Sequence, residues 1–233
     1  MTDVASTSLA EYLRLKREYP SLFANPVTGG IQIVEKPFDM EAAEQAGAEH
    51  LSAKGLASQW ARLGLLYENE VFRVVRDPVR FPNGRLGIYF RILMKEQVMP
   101  GSVILAVYQG RVILLEQFRH ATRRQHLEIP RGFGTADITA ADNARKEIAE
   151  EVEGEISRLV SMGPMHVNTG LSNEYAELFF AELNQIGKGQ IEEGIEGIRL
   201  VELDDLEGLI RDSEITDAFT IGAFCRARLK GLL

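Results

Sequence analysis

The feature that most constrains this chain is a pair of apolar runs, Val103 to Val107 and Val112 to Leu115. Both are strand-length and far too short to cross a bilayer. Around the Gln109-Gly110 turn, Val103 to Tyr108 and Val112 to Gln117 read as a hairpin, apolar enough to lie in the centre of a sheet. A central hairpin needs neighbouring strands and helices packed against it, and the chain supplies both.

Val71 to Arg80 alternates apolar and charged residues, Pro82-Asn83-Gly84 turns the chain, and Ile88 to Met94 runs back. Leu127 to Pro130 is a short strand leading into the loop Arg131 to Asp137, and further strands are expected at 156–164, 175–183 and 197–203. Thr139 to Glu153 is the clearest helix. Thr139 and Asp142 form an N-terminal cap pattern, Ala144, Ile148 and Val152 share a face, and Gly154 supplies a stop. Asp204 to Arg211 and Asp217 to Leu229 also read as helices. The pattern gives an α+β or α/β fold, with helices on a mixed sheet.

The first 66 residues carry no visible chemistry and read as a packing or dimerisation appendage. Residues 7 to 19 predict a helix, with Ser8 and Glu11 spaced as a capping box and Pro20 as its stop. Ile31 to Val34 follows as a short strand, and 39–63 is helix-leaning with interruptions at Gly47 and Gly55.

Acidic residues outnumber basic ones by 34 to 26, a formal charge of −8 that disfavours binding to a nucleic-acid polymer. Cys225 is the only cysteine, which rules out an intramolecular disulfide and reads as a small buried group on the last helix. The N-terminus lacks a basic region followed by an apolar core, so the expectation is a cytoplasmic protein without membrane association. His50, His120, His126 and His166 are dispersed, without metal-ligand spacing. Gly132-Phe133-Gly134 lacks the third glycine of a dinucleotide fingerprint. Trp60, Tyr67 and Phe72 read as core or dimer contacts.

Glu147, Glu150 and Glu151 fall at spacings of three and four on the 139–153 helix, so their carboxylates share one side. Alone, they read most simply as a solvated acidic face partnered by Arg145 and Lys146. The surroundings change that reading. Leu127 to Gly134, followed by Asn143 to Glu153, resembles the Nudix box, G-x5-E-x7-R-E-U-x-E-E-x-G-U with U aliphatic. Gly132 fits the opening glycine, and Glu147, Ile148, Glu150 and Glu151 fit the core. Ile138, Lys146, Glu153 and Gly154 depart from it, standing for glutamate, arginine, glycine and an aliphatic residue. With Gly154 one residue late, the helix is expected to extend slightly.

Further segments resemble the ADP-ribose pyrophosphatases of this superfamily: Val112 to His120, Thr169 to Glu174, and Glu214 to Ala218. The resemblance implies an α/β/α sandwich with a mixed central sheet, in a Nudix domain at 67–233 preceded by an accessory region at 1–66. The 67–98 hairpin would form a homodimer contact. It further implies hydrolysis of a small nucleoside diphosphate derivative, ADP-ribose foremost, with Mg²⁺ (Mn²⁺ also suitable). Glu147, Glu150, Glu151 and the Arg131 carbonyl would hold the metal, Glu150 also counting as catalytic. Arg119 would contact phosphate, or instead pair with Glu116 or Glu128. Glu174 would contact substrate or metal. The general base would come from Glu192, Glu193 or Glu196, Glu193 lying nearest the expected place. Two rival functions remain: a degenerate Nudix module that binds without turnover, and an enzyme acting on nucleotide sugars.

Overall fold

A computed structural model describes residues 4–95, 99–188 and 194–233. The chain divides into two compact units, residues 1–95 with 168–173, and residues 96–167 with 174–233.

The first unit opens with helix α1, Val4–Glu18, whose Tyr12 and Leu15 pack with Phe23, Val75 and Leu93. A single 3₁₀ turn, Pro20–Phe23, follows where proline forbids further α-helix. Ser8 lies within α1 and does not cap it. Its buried hydroxyl donates to the carbonyls of Leu63 (3.2 Å) and Leu65 (2.8 Å), so the expected capping box is replaced by a long-range tie. Strand β1 is Gln32–Ile33, and helix α2 is Pro37–Ala53.

Gly47 does not interrupt α2. It is buried, and a Cβ there would lie 2.9 Å from Ile88, so the glycine permits close packing of helix on strand. The helix ends just before Gly55, whose φ is +71°. Strands β2 (Gly64–Glu68), β3 (Phe72–Arg80) and β4 (Leu86–Met94) complete the unit. These strands pair antiparallel: β4 runs along β3, while β2 and β1 pair with successive stretches of β3, and Ile92 of β4 makes an isolated parallel bridge to Ser172. The 67–94 strands therefore pack within the same unit as the N-terminal helices. Trp60 and Tyr67 are exposed and do not serve as core.

The second unit is a seven-stranded mixed sheet with helices on both faces. Its strands are β5 (Gly101–Tyr108), β6 (Arg111–Arg119), β7 (Arg124–Glu128), β8 (Arg131–Gly132), β9 (Glu155–Met165), β10 (Ala176–Gln185) and β11 (Ile195–Val201). The order is β11-β6-β5-β10-β9, with β7 on β6 and β8 on β5. Among the described strands of this unit, only β5 and β10 pair in parallel.

Alternation along the central strands sorts the core into two layers. Val103, Leu105, Val112 and Leu114 face helices α4 (Leu203–Arg211) and α5 (Ala218–Leu229), through Leu206, Leu209, Ala223 and Phe224. Ile104, Ala106, Ile113 and Leu115 face helix α3, Ala140–Val152, through Ala144, Ile148 and Val152. Burying an aliphatic side chain of this size is worth about 2 kcal/mol, so this apolar face fixes the orientation of α3. The unit is an α/β/α sandwich, as the resemblance implies.

Two details at the helices differ from expectation. Helix α3 does not extend toward Gly154. It stops at Val152, and Glu153 itself takes the left-handed conformation at φ +46°, ψ +39°. The Glu153 and Gly154 N–H groups both donate to the Ile148 carbonyl, Gly154 at 3.1 Å, and close the helix end. Cys225 is exposed, because α5 turns Thr220, Ala223, Phe224 and Ala227 inward. Among the described residues, no helix is long and apolar enough to cross a membrane.

Candidate active site

The site lies in the second unit, where α3 faces the loop after β7. Thr139 caps α3: its hydroxyl accepts from the Asp142 N–H at 3.1 Å. The loop is held by Asn143, whose amide donates to the Phe133 carbonyl (3.1 Å) and accepts from the Thr135 N–H (3.2 Å). Asn143 is buried, so this bridge fixes the loop to the first turn of α3. Ile138 stands where the box pattern has a supporting glutamate, and Asn143 ties the loop nearby.

Glu147 and Glu151 are 6% and 3% exposed, unusual for carboxylates. Glu151 Oε2 accepts from the Arg131 N–H at 3.0 Å. The Glu147 carboxylate occupies the space at Gly132 that any Cβ would take, which gives the box glycine its physical reason. Glu150 points outward and pairs with Lys146 Nζ at 3.4 Å, and Lys146 also reaches Thr135 Oγ1 at 3.4 Å.

Glu147, Glu150, Arg119, Arg131 and Glu174 line one cleft of about 530 Å³. Glu151 sits behind its floor, tied to the Arg131 backbone. The cleft wall mixes Arg119, Arg131 and Lys146 with the carboxylates, and adds the aromatic rings of Phe133, Tyr175 and Phe219. Phe133 is largely exposed, and Tyr175 packs on His166 with ring centroids 5.4 Å apart. Of the general-base candidates, Glu196 lies on β11, bonded to Gln125, against a different hollow with Glu116 and Glu214. Glu192 and Glu193 lie outside the described residues.

From sequence, Glu128 is only a possible partner of Arg119. In the structure it is central. Glu128 Oε2 accepts from Arg119 Nε (2.8 Å) and Nη2 (2.5 Å), and also from Arg131 Nη2 (2.8 Å). Arg131 Nη1 reaches Asp217 at 3.4 Å, and its guanidinium lies over the Phe219 ring. Asp217 caps α5 by accepting from the Thr220 N–H and hydroxyl, both at 2.8 Å, while Thr220 Oγ1 accepts from the Ile129 N–H at 3.1 Å. Sequence reasoning also misses Asn143 and the three aromatic rings. An exposed aromatic between two glycines is the one available signal, at Phe133.

Glu147, Glu150 and Glu151 are the residues suited to a divalent cation: hard oxygen donors on successive turns, two of them buried. Mg²⁺ keeps waters and phosphate oxygens among its ligands, so it does not require a complete protein cage. Among the described residues, no group of three or more His, Cys, Asp or Glu side chains is drawn together as a metal cluster. Glu150 instead turns to Lys146.

The fold and the residues at the box positions resemble those of the Nudix hydrolases, and the chain is similar to an ADP-ribose pyrophosphatase. The ADP-ribose pyrophosphatase of Bacillus subtilis (strain 168) is 28% identical over 174 residues, covering 72% of this chain and 91% of that protein. A crystal structure of an ADP compounds hydrolase superposes with a TM-score of 0.61 at 19% identity, covering 73% of this chain and 92% of that one. No family model matches the sequence.

Proposed function

We propose that this chain hydrolyses the diphosphate linkage of a nucleoside diphosphate derivative, ADP-ribose foremost, giving AMP and ribose 5-phosphate. One observation carries the reading: α3 and its loop are locked together at the box positions, with Glu151 on the Arg131 N–H and Glu147 in the space left by Gly132. The lock places acidic oxygens beside a cleft that also holds two guanidinium groups.

Glu147, Glu150 and Glu151 would hold Mg²⁺ or Mn²⁺, with the Arg131 carbonyl as a further oxygen by resemblance. Bound there, the ion supplies neutralisation of the diphosphate charge and acidification of water. Arg119 orients the substrate. Its Nε and Nη2 are engaged by Glu128, and among the described residues its Nη1 has no hydrogen-bond partner, leaving a donor for a phosphate oxygen. Glu174, two residues before β10, contacts substrate at the cleft edge. A water oxygen bonds to phosphorus as the anhydride P–O bond breaks, and the departing phosphate takes the electron pair. The water proton passes to a carboxylate, for which Glu193 is proposed. The protein acts as a cytoplasmic homodimer in this reading, and sedimentation as a monomer at micromolar concentration would remove the dimer.

The test is product release from ADP-ribose, nucleotide sugars, NADH, diadenosine polyphosphates and nucleoside triphosphates, with Mg²⁺ and with EDTA. Mg²⁺-dependent cleavage of one class supports the reading and names the substrate. The Glu150–Lys146 pair and the substitutions at Ile138 and Glu153 favour a second reading, a Nudix-fold module that binds a nucleotide without turnover. Binding with no cleavage of any substrate would select it.

A further inference from the structure

The structure assigns Glu128 and the Arg131 side chain a shared role, in which Glu128 is a positioning residue that presents two guanidinium groups, Arg119 and Arg131, to the two phosphates of one substrate. This rests on the proposed diphosphate hydrolysis and specifies how that substrate is told from a monophosphate. Arg131 enters here through its side chain, independently of its backbone carbonyl.

The geometry is compact. Arg119 Nη2 and Arg131 Nη2 bond the same oxygen, Glu128 Oε2, at 2.5 and 2.8 Å. The two nitrogens therefore lie no farther apart than those distances laid end to end, a separation that neighbouring phosphates of a diphosphate span. Both arginines line the cleft, with side chains 29% and 23% exposed, whereas the Glu128 side chain is 3% exposed and lies behind them. Two like charges this close repel, and a carboxylate shared between them removes that cost while fixing both planes. A planar guanidinium held on one side by a carboxylate keeps its remaining donors aimed in a defined direction.

The second arginine is anchored independently of the first. Asp217 faces Arg131 Nη1 at 3.4 Å and caps α5, and the Phe219 ring lies beneath the guanidinium at 5.3 Å. Arg131 is thus tied to α5, while Arg119 is carried by β6. The clamp joins two elements of one unit across the cleft wall, with Glu128 at the end of β7 between them. A lone surface ion pair would need none of this support.

Calorimetric titration of the full chain in Mg²⁺ tests the assignment with two probes, the α,β-methylene analogue of ADP-ribose and AMP. The wild type is expected to prefer the diphosphate analogue. Arg131→Lys and Glu128→Gln should each cut that preference by roughly tenfold, since a planar, bidentate cation is not replaced by a point charge. General loosening of the fold would weaken both ligands alike and leave the preference unchanged, which would overturn the clamp. Glu128 is buried and its variant risks poor folding. Arg131→Lys, at a partly exposed side chain, decides the matter by itself. A wild type that binds neither probe would instead overturn the proposed function, and the clamp with it.

Discussion

Each unit of this protein buries one acidic residue under arginine, and the two arrangements differ in what they leave over. In the first unit Asp77, 1% exposed, accepts from Tyr12 Oη (2.7 Å) and from Arg91 Nε (2.5 Å) and Nη2 (2.9 Å). Arg91 spends its third nitrogen on the Leu22 carbonyl at 2.9 Å. In the second unit Glu128 takes two guanidinium groups, and Arg119, which lines the cleft, has no hydrogen-bond partner at Nη1 among the described residues. Exposure does not separate them, since the Arg91 and Arg119 side chains are 24% and 29% exposed. Counting engaged nitrogens does: all three of Arg91 are bonded inside the protein, whereas Arg119 keeps one, Nη1, without a partner among the described residues. A guanidinium held at every nitrogen fixes a fold, whereas one with a nitrogen left over is available to a ligand.

The comparison is broken most strongly by Asp77→Ala. Losing one partner of a buried pair costs about 3–5 kcal/mol, and Arg91 and Tyr12 would both be left without their acceptor. Thermal unfolding should fall by roughly 10 °C, while the kcat of the folded fraction should stay near wild type. A collapse of kcat at a temperature where the variant is folded would show that the pairs are not separable.

Glu128→Gln should cost less in stability, about 1–3 kcal/mol, because the amide oxygen still accepts hydrogen bonds. Its larger effect belongs to ligand preference, so denaturant melts and binding measured together should separate the two pairs.

Tyr12→Phe sharpens the first pair, costing about 1 kcal/mol for the lost hydrogen bond. It also has a pH signature. Burial, and then the nearby Asp77 carboxylate, push the Tyr12 phenol far above its ordinary value of 10.0. A raised folded value means the stabilisation is complete below that ordinary value and is lost as pH rises above it, when the unfolded phenol ionises first. Wild-type stability should therefore fall on the alkaline side, and denaturant melts of Tyr12→Phe between about pH 9 and 11 should show a shallower decline.

The smallest effect is expected outside both pairs, at Glu153→Gly. A non-glycine residue in the left-handed region costs about 1 kcal/mol, so glycine should raise the thermal midpoint by a few degrees and leave ligand preference unchanged. A fall in stability would mean that the packing of Glu153 against Gly187 outweighs its backbone strain.

The strands and helices that carry this fold are legible in the sequence because their signals are local. The apolar alternation of 103–107 and 112–115 and the 144–148–152 stripe translate directly into the two core layers. The cap at Thr139 and the glutamates of α3 are legible for the same reason, as is the start of the last helix at Asp217. Where sequence reading fails, the deciding partner is remote. Ser8 has a capping pattern, but its hydroxyl bonds the carbonyls of Leu63 and Leu65, far along the chain. Gly47 has the look of a helix breaker, yet it is explained by Ile88. Glu128 is legible as one possible partner of Arg119, but the sequence does not say that Arg131, three residues on, bonds the same carboxylate oxygen. At the end of α3, Gly154 offers a cheaper stop on paper than the one the backbone adopts at Glu153.

The central claim is that the α3 glutamates support hydrolysis of a diphosphate. Its most direct test is the Mg²⁺-dependent rate of AMP release from ADP-ribose by the wild type and by Glu151→Gln, with both proteins shown to be folded by thermal melts. The expected result is a wild-type rate abolished by EDTA and a variant slower by about a hundredfold or more, exceeding the roughly 10–100-fold typical of residues that only support a metal site. A variant that keeps the wild-type rate, or a rate indifferent to EDTA, would contradict the account.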